Sequence, residues 1–167
     1  MSLAVRIPLF LMLLMVACGS GAEQTPTTTA QGQQISLKDA QILAKQTGKH
    51  IVLDVFTTWC GYCRQMDQKT YPDAAVQAVI GESFIRVRLN AESESKVVFN
   101  GRAYTEEELA KSMGITSYPA TIFISPEGKA IGFQPGYMDA PLFARLLRFV
   151  ASGSYQTTSF ETFQDKF

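Results

Sequence analysis

Two cysteines three positions apart, Cys60 and Cys63 in the stretch Trp59-Cys60-Gly61-Tyr62-Cys63, carry the most reactive chemistry the sequence offers. The residues before them, 51–56 (IVLDVF), form a continuous apolar run broken only by Asp54, the pattern of a strand buried on both faces. A helix is predicted to start near Cys60 and run to about Lys69. The free N–H groups and partial positive charge at a helix start favour thiolate over thiol at the first cysteine. The second cysteine, one turn on, is placed to close a disulfide and release a trapped substrate. Cys60 is then the attacking nucleophile and Cys63 the resolving thiol.

Two plainer uses of the pair are weaker. Zinc requires about four ligands, whereas the third and last cysteine, Cys18, stands far away and His50 is the sole histidine. A disulfide across so short a loop removes little entropy from the unfolded chain, so a purely structural bridge would contribute weakly. No metal is therefore expected, and no cofactor beyond the redox-active disulfide. The formal net charge is zero and no long like-charge block occurs. Bulk electrostatics thus give no sign of a nucleic-acid partner.

The N-terminus has the pattern of an address. Arg6 precedes a short apolar stretch over 7–17, below the roughly 20 residues a membrane-spanning helix requires, so residues 1–17 are read as an export signal. Met15-Val16-Ala17-Cys18 resembles a bacterial lipobox, which implies lipidation of Cys18 and anchoring of the chain to a membrane. Residues 18–34 are polar, small and aperiodic, as in a flexible tether. The domain is placed at 35–152, with an extension over 153–167 that has no clear period.

Within the domain, Ser36 caps a predicted helix over 37–46, with Ile42 and Leu43 expected on its buried side and Gly48 ending it. Pro72-Asp73 opens a further helical turn through Val76, Val79 and Ile80. Residues 84–89 (FIRVRL) form a second strand. Residues 91–103 are a surface insertion, with Asn100-Gly101 marking a tight hairpin turn. Thr105 with Glu108 makes a capping box for a helix ending at Gly114. Strands over 120–124 and 130–133 flank a Pro- and Gly-containing turn. A last helix over 139–151 carries Leu142, Phe143, Leu146, Leu147 and Val150 at helical spacing. This order gives an α/β fold, a mixed sheet with helices on both faces.

Residues 36–151 resemble the thioredoxin family through three separated features: the Trp59–Cys63 stretch, Asp54 six residues before Cys60, and Gly114-Ile115-Thr116-Ser117-Tyr118-Pro119. The resemblance implies the thioredoxin fold and a cis peptide before Pro119, with the Tyr118 backbone beside the disulfide to pair with substrate. It also implies that Asp54 is a buried acid, its charge disfavoured by desolvation, that accepts the proton of Cys63 during resolution. Trp59, Gly61, Tyr62 and Tyr118 are the expected substrate-binding residues, and Arg88 takes the place of a lysine near the buried acid. Cys-Gly-Tyr-Cys followed by Arg64 and Met66, Tyr71-Pro72-Asp73 and the tail over 155–160 resemble exported SoxW-like proteins. That likeness implies reduction of a disulfide-containing exported protein, with electrons arriving from a membrane thiol reductase. Gly61 and Tyr62 place no cation or histidine between the cysteines, so a reducing rather than strongly oxidising pair is expected. A disulfide-forming oxidase and a copper(I)-binding chaperone, assisted by Met66 or His50, would use the same dithiol.

Overall fold

A computed structural model describes residues 34–164; the export signal, Cys18 and all of the tether except Gln34 lie outside the described residues. The first helix, α1 (Leu37–Thr47), starts at Ser36, whose hydroxyl accepts the Asp39 N–H at 3.1 Å, and ends at Gly48 with φ 71°. Leu37, Ala40 and Ala44 are its buried residues, whereas Ile42 and Leu43 are exposed. The expected face is therefore corrected. The two alanines let the helix axis approach the sheet, and 37, 40 and 44 share one stripe.

Strand β1 (His50–Phe56) is central. It pairs in parallel with β2 (Phe84–Asn90) and antiparallel with β5 (Ala120–Ile124), which pairs antiparallel with β6 (Ala130–Pro135). The order is β2-β1-β5-β6. Alternation along β1 divides the core. Ile51, Leu53 and Val55 face α1 and α4 (Glu106–Ser112), while Val52 faces α3 (Ala74–Ser83) and α5 (Ala140–Ala151). The expected α/β fold with a mixed sheet flanked by helices is what the chain adopts.

The helix expected over about 60–69 is interrupted. Regular α2 covers Gly61–Gln65, and a π turn follows at Met66–Thr70, closed by the Tyr71 N–H to the Met66 carbonyl at 2.9 Å. Such wide turns recur at functional sites. Asp73 caps α3 by accepting the N–H groups of Ala75 and Val76. The insertion is a hairpin, β3 (Lys96–Phe99) and β4 (Arg102–Thr105), turned by Asn100 and Gly101 at φ 50° and 78°. Gln41 of α1 holds it, donating to the Val98 carbonyl and accepting the Asn100 N–H. Thr105 and Glu108 form the full capping box of α4.

Asp139 caps α5. Leu142 is exposed, while Phe143, Leu146, Leu147, Phe149 and Val150 are buried. The segment after α5 has a docked structure that its composition did not announce. A 3₁₀ turn (Ser154–Gln156) leads back so that Phe160 and Phe163 meet the Phe149 ring at 5.5 and 5.2 Å. Arg145 donates to the carbonyls of Phe160 and Phe163 at 3.1 and 2.6 Å. Replacing Arg145 by Ala should cost about 2 kcal/mol, the scale of hydrogen bonds to a charged group. Urea unfolding checks this; an unchanged midpoint would mean that the tail contributes no net stability.

Candidate active site

Strand β1 delivers the chain to the cysteines. Past Phe56, the Cys60 N–H returns to the Thr57 carbonyl at 3.3 Å, and Cys60 becomes the N-cap of α2, its Sγ accepting the Cys63 N–H at 3.1 Å. The two sulfurs are bonded at 2.04 Å, with the Cα atoms 5.3 Å apart. Both cysteines are almost fully buried, at 3% and 4% exposure, whereas the neighbouring Trp59 and Tyr62 are exposed at 64% and 63%.

A second loop comes alongside. The β1–β5 register sets Val55 opposite Ala120, so Pro119, one residue earlier, falls at the end of β1 from which the cysteine segment leaves. The Tyr118–Pro119 peptide is cis, as the resemblance implied. Trp59 meets Tyr118 edge-on at 6.1 Å, and Tyr62 meets Tyr137 at 6.0 Å. Tyr137 follows Gly136, whose N–H donates to the Pro119 carbonyl at 2.8 Å and whose φ of 86° favours glycine. One ring pair thus joins the cysteine segment to the proline loop and the other joins it to the segment after β6, with Cys60 in the chain between Trp59 and Tyr62. Both oxygens of Glu92 accept from Trp59 Nε1 at 2.9 Å. Tyr137 and Glu92 were not foreseen. Their signal is topological, since each follows a strand end that arrives at this edge of the sheet.

Beneath the helix is a layer of charge. Asp54 faces the α3–α5 side of β1, and its Oδ2 accepts from Arg86 Nη2 at 2.6 Å and Arg88 Nε at 3.2 Å. The same arginines donate to the two oxygens of Asp67, on the π turn, at 2.8 and 2.7 Å. Arg86 also lies over the Tyr71 ring, 3.3 Å from its centroid, and Arg88 over Phe56 at 4.1 Å. Burial, followed by the charge of Asp54, holds the Tyr71 phenol well above its usual range, so it is neutral. Asp54 is thus a buried acid, as expected, within a balanced cluster of two carboxylates and two guanidiniums. Arg88 takes the expected place, while Arg86 and Asp67 are additions.

Of the two candidate copper ligands, His50 begins β1 at the end opposite the cysteines, and Met66, at the start of the π turn, is buried in the core. Among the described residues, no group of three or more His, Cys, Asp or Glu is arranged to hold a metal ion.

Residues 37–151 match the thioredoxin-like domain family. The thiol:disulfide interchange protein DsbD of Cronobacter sakazakii is 30% identical over 105 residues, covering 61% of this chain and 17% of that protein. The chain thus spans about a sixth of the length of the curated relatives it matches. Among solved structures, a thioredoxin-fold protein from Helicobacter pylori superposes with a TM-score of 0.61 at 25% identity, over 67% of this chain and 74% of that one. The DsbD C-terminal domain of Neisseria meningitidis, in its reduced form, shares the fold at a TM-score of 0.50 and 23% identity, over 67% and 91% of the two chains.

The charge cluster makes a stability prediction. Arg86→Leu leaves Asp54 short of one partner in a buried setting and should destabilise the chain by about 3 kcal/mol. Asp54→Leu combined with Arg86→Leu should recover at least half of that loss, because the uncompensated charge is gone. A double mutant less stable than Arg86→Leu alone in urea titrations would sink this account.

Proposed function

The chain belongs to the thioredoxin-like family, and from that premise we propose that it is an extracytoplasmic thiol–disulfide oxidoreductase that reduces disulfides of exported proteins. The observation that carries the proposal is the Cys60–Cys63 disulfide at the end of a buried strand, framed by aromatic rings and a cis-proline loop. Relatives named as thiol:disulfide interchange proteins support exchange chemistry.

In the reduced chain, the Cys60 thiolate attacks one sulfur of the substrate disulfide. A Cys60–substrate bond forms, and the other substrate sulfur leaves as a thiolate that takes a proton. Cys63 then gives its proton to Asp54 and attacks Cys60 Sγ, closing the disulfide and releasing the second substrate thiolate. Two electrons have passed to the substrate. A membrane thiol reductase restores the pair, its own dithiol becoming a disulfide as Cys60 and Cys63 are reduced. The Tyr118–Pro119 backbone pairs with an extended substrate segment, and Trp59, Gly61, Tyr62 and Tyr118 line its path. Export through residues 1–17 and lipidation at Cys18 would hold the domain, by its tether, at the outer side of a bacterial membrane. Among the described residues no helix is long and apolar enough to cross a membrane.

The reductase direction requires a reduction potential near −270 mV, the value of about a thioredoxin-type donor. Equilibration with a dithiol buffer measures it, and a value of about −120 mV would instead mark a disulfide-forming oxidant. For the order of attack, a Cys63→Ser chain should accumulate mixed disulfides through Cys60, while Cys60→Ser should accumulate none. Equal trapping by both variants, read by mass spectrometry, contradicts the assignment.

A further inference from the structure

Arg64, the residue after Cys63, holds a position that neither the aromatic frame nor the buried charge layer explains. Its Nη1 donates to the Thr58 carbonyl at 3.1 Å, so the side chain doubles back toward the start of α2. Its Nη2 lies 3.8 Å from the point where a side chain on Gly61 would begin. Thr58 stands two residues before Cys60 and Gly61 one residue after it, so the guanidinium bridges the two sides of the attacking cysteine. Among the described residues, no carboxylate lies within ion-pair distance of Arg64. Asp54 and Asp67 are engaged by Arg86 and Arg88, and Glu92 by Trp59.

We propose that Arg64 is a positioning residue whose unneutralised charge, pinned by the Thr58 carbonyl, stabilises the Cys60 thiolate of the reduced chain. The disulfide carries no charge at Cys60 and the thiolate carries one, so a fixed cation beside it favours the reduced form. The pair becomes more oxidising and its nucleophile more populated than Gly61 and Tyr62 alone would make it. Arg64 is exposed, so water screens the interaction and the effect has the size of a surface charge pair. This inference rests on the proposed exchange chemistry and deepens it by naming the group that sets the reactivity of Cys60.

The test compares the full chain with Arg64→Gln and Arg64→Lys. Each is equilibrated against reduced and oxidised dithiothreitol, which becomes a disulfide as the Cys60–Cys63 bond takes up two electrons and two protons. Trp59 is the sole tryptophan and adjoins Cys60, so its fluorescence reports the redox state. Iodoacetamide alkylation, followed by peptide mass spectrometry over a range of pH, separates Cys60 from Cys18. Arg64→Gln should lower the equilibrium constant for reduction roughly threefold, about 14 mV toward more reducing potential. Its Cys60 should also alkylate roughly threefold more slowly below neutral pH. Arg64→Lys should keep most of the wild-type behaviour. At about 1 M salt, where the screening length falls to about 3 Å, the Gln variant and wild type should converge. An Arg64→Gln chain indistinguishable from wild type at low salt overturns the proposal. So does an Arg64→Lys chain that behaves like Arg64→Gln, because the effect would then belong to the bond with Thr58. A wild-type potential in the oxidant range would sink the reductase direction and leave the comparison among variants standing.

Discussion

The carboxylate of Asp54, whose side chain is 5% exposed on the central strand, is the constraint around which the rest of the site is arranged. A buried charge left alone costs several kcal/mol, and compensation must come from whatever the sheet places beside it. The parallel register sets Arg88 opposite Asp54, and Arg86, two residues earlier, points to the same face. Two guanidiniums against one carboxylate would leave a positive excess, and Asp67 removes it. Asp67 belongs to the π turn continuing directly from the helix that holds Cys63, so charge neutrality ties that helix to β2. Thr70, at the end of the same turn, donates to the Met138 carbonyl at 2.6 Å, a second tie just ahead of α5. The segment presenting both cysteines is therefore held from below by polar bonds as well as by the packing of Met66.

Above the disulfide the same role falls to backbone turns. Glu92 can reach the Trp59 indole because the Asn90 side chain accepts the Glu92 N–H at 3.2 Å and the Asn90 carbonyl accepts the Ser93 N–H at 3.0 Å. The start of α4 reaches back to this segment, Glu106 and Glu107 donating their N–H groups to the carbonyls of Ser95 and Ser93. The insertion after β2 is thus part of the support for an aromatic wall of the site. On the other side, the bond from Gly136 to Pro119 fixes where Tyr137 stands. Tyr118 and Tyr137 also pack partly against the core, so the exposed Trp59 and Tyr62 rings rest on neighbours that turns and packing together hold in place.

Features that depend on neighbours in sequence were legible. Ser36 and the Thr105–Glu108 box satisfy backbone groups within three residues, and Asn100-Gly101 tolerate the positive φ of a tight turn, so local sequence identifies all three. Cys60, Cys63, Asp54 and Pro119 were legible as positions through resemblance, and the structure gathers them at one end of the sheet. Choices made by tertiary packing were not legible. Ile42 and Leu43 are as apolar as any core pair, but α1 turns its alanine stripe inward because close approach to the sheet outweighs side-chain size there. Arg86 meets Asp54 across 32 residues of chain and Asp67 across 19. Alternation suggests only that Arg86 and Arg88 share a face. The docking of Phe160 and Phe163 on Phe149 is invisible for the same reason, since the surface that receives them exists only once α5 is in place.

The two cysteines consequently stand in different electrostatic surroundings, although both are buried and only three residues apart. Cys60 caps the start of α2, where N–H groups and the Arg64 guanidinium lie near the surface. Cys63 lies within α2, whose π-turn continuation carries Asp67 into the charge layer with Asp54. An attacking sulfur must be ionised where it can meet substrate, and a resolving sulfur must keep its proton until a nearby acceptor takes it. In the proposed exchange reaction, a cation at the start of α2 and an acceptor toward its far end would divide these two requirements between Cys60 and Cys63. One short helix, tied to the sheet through Asp67, then carries both sulfurs in surroundings set by different parts of the chain.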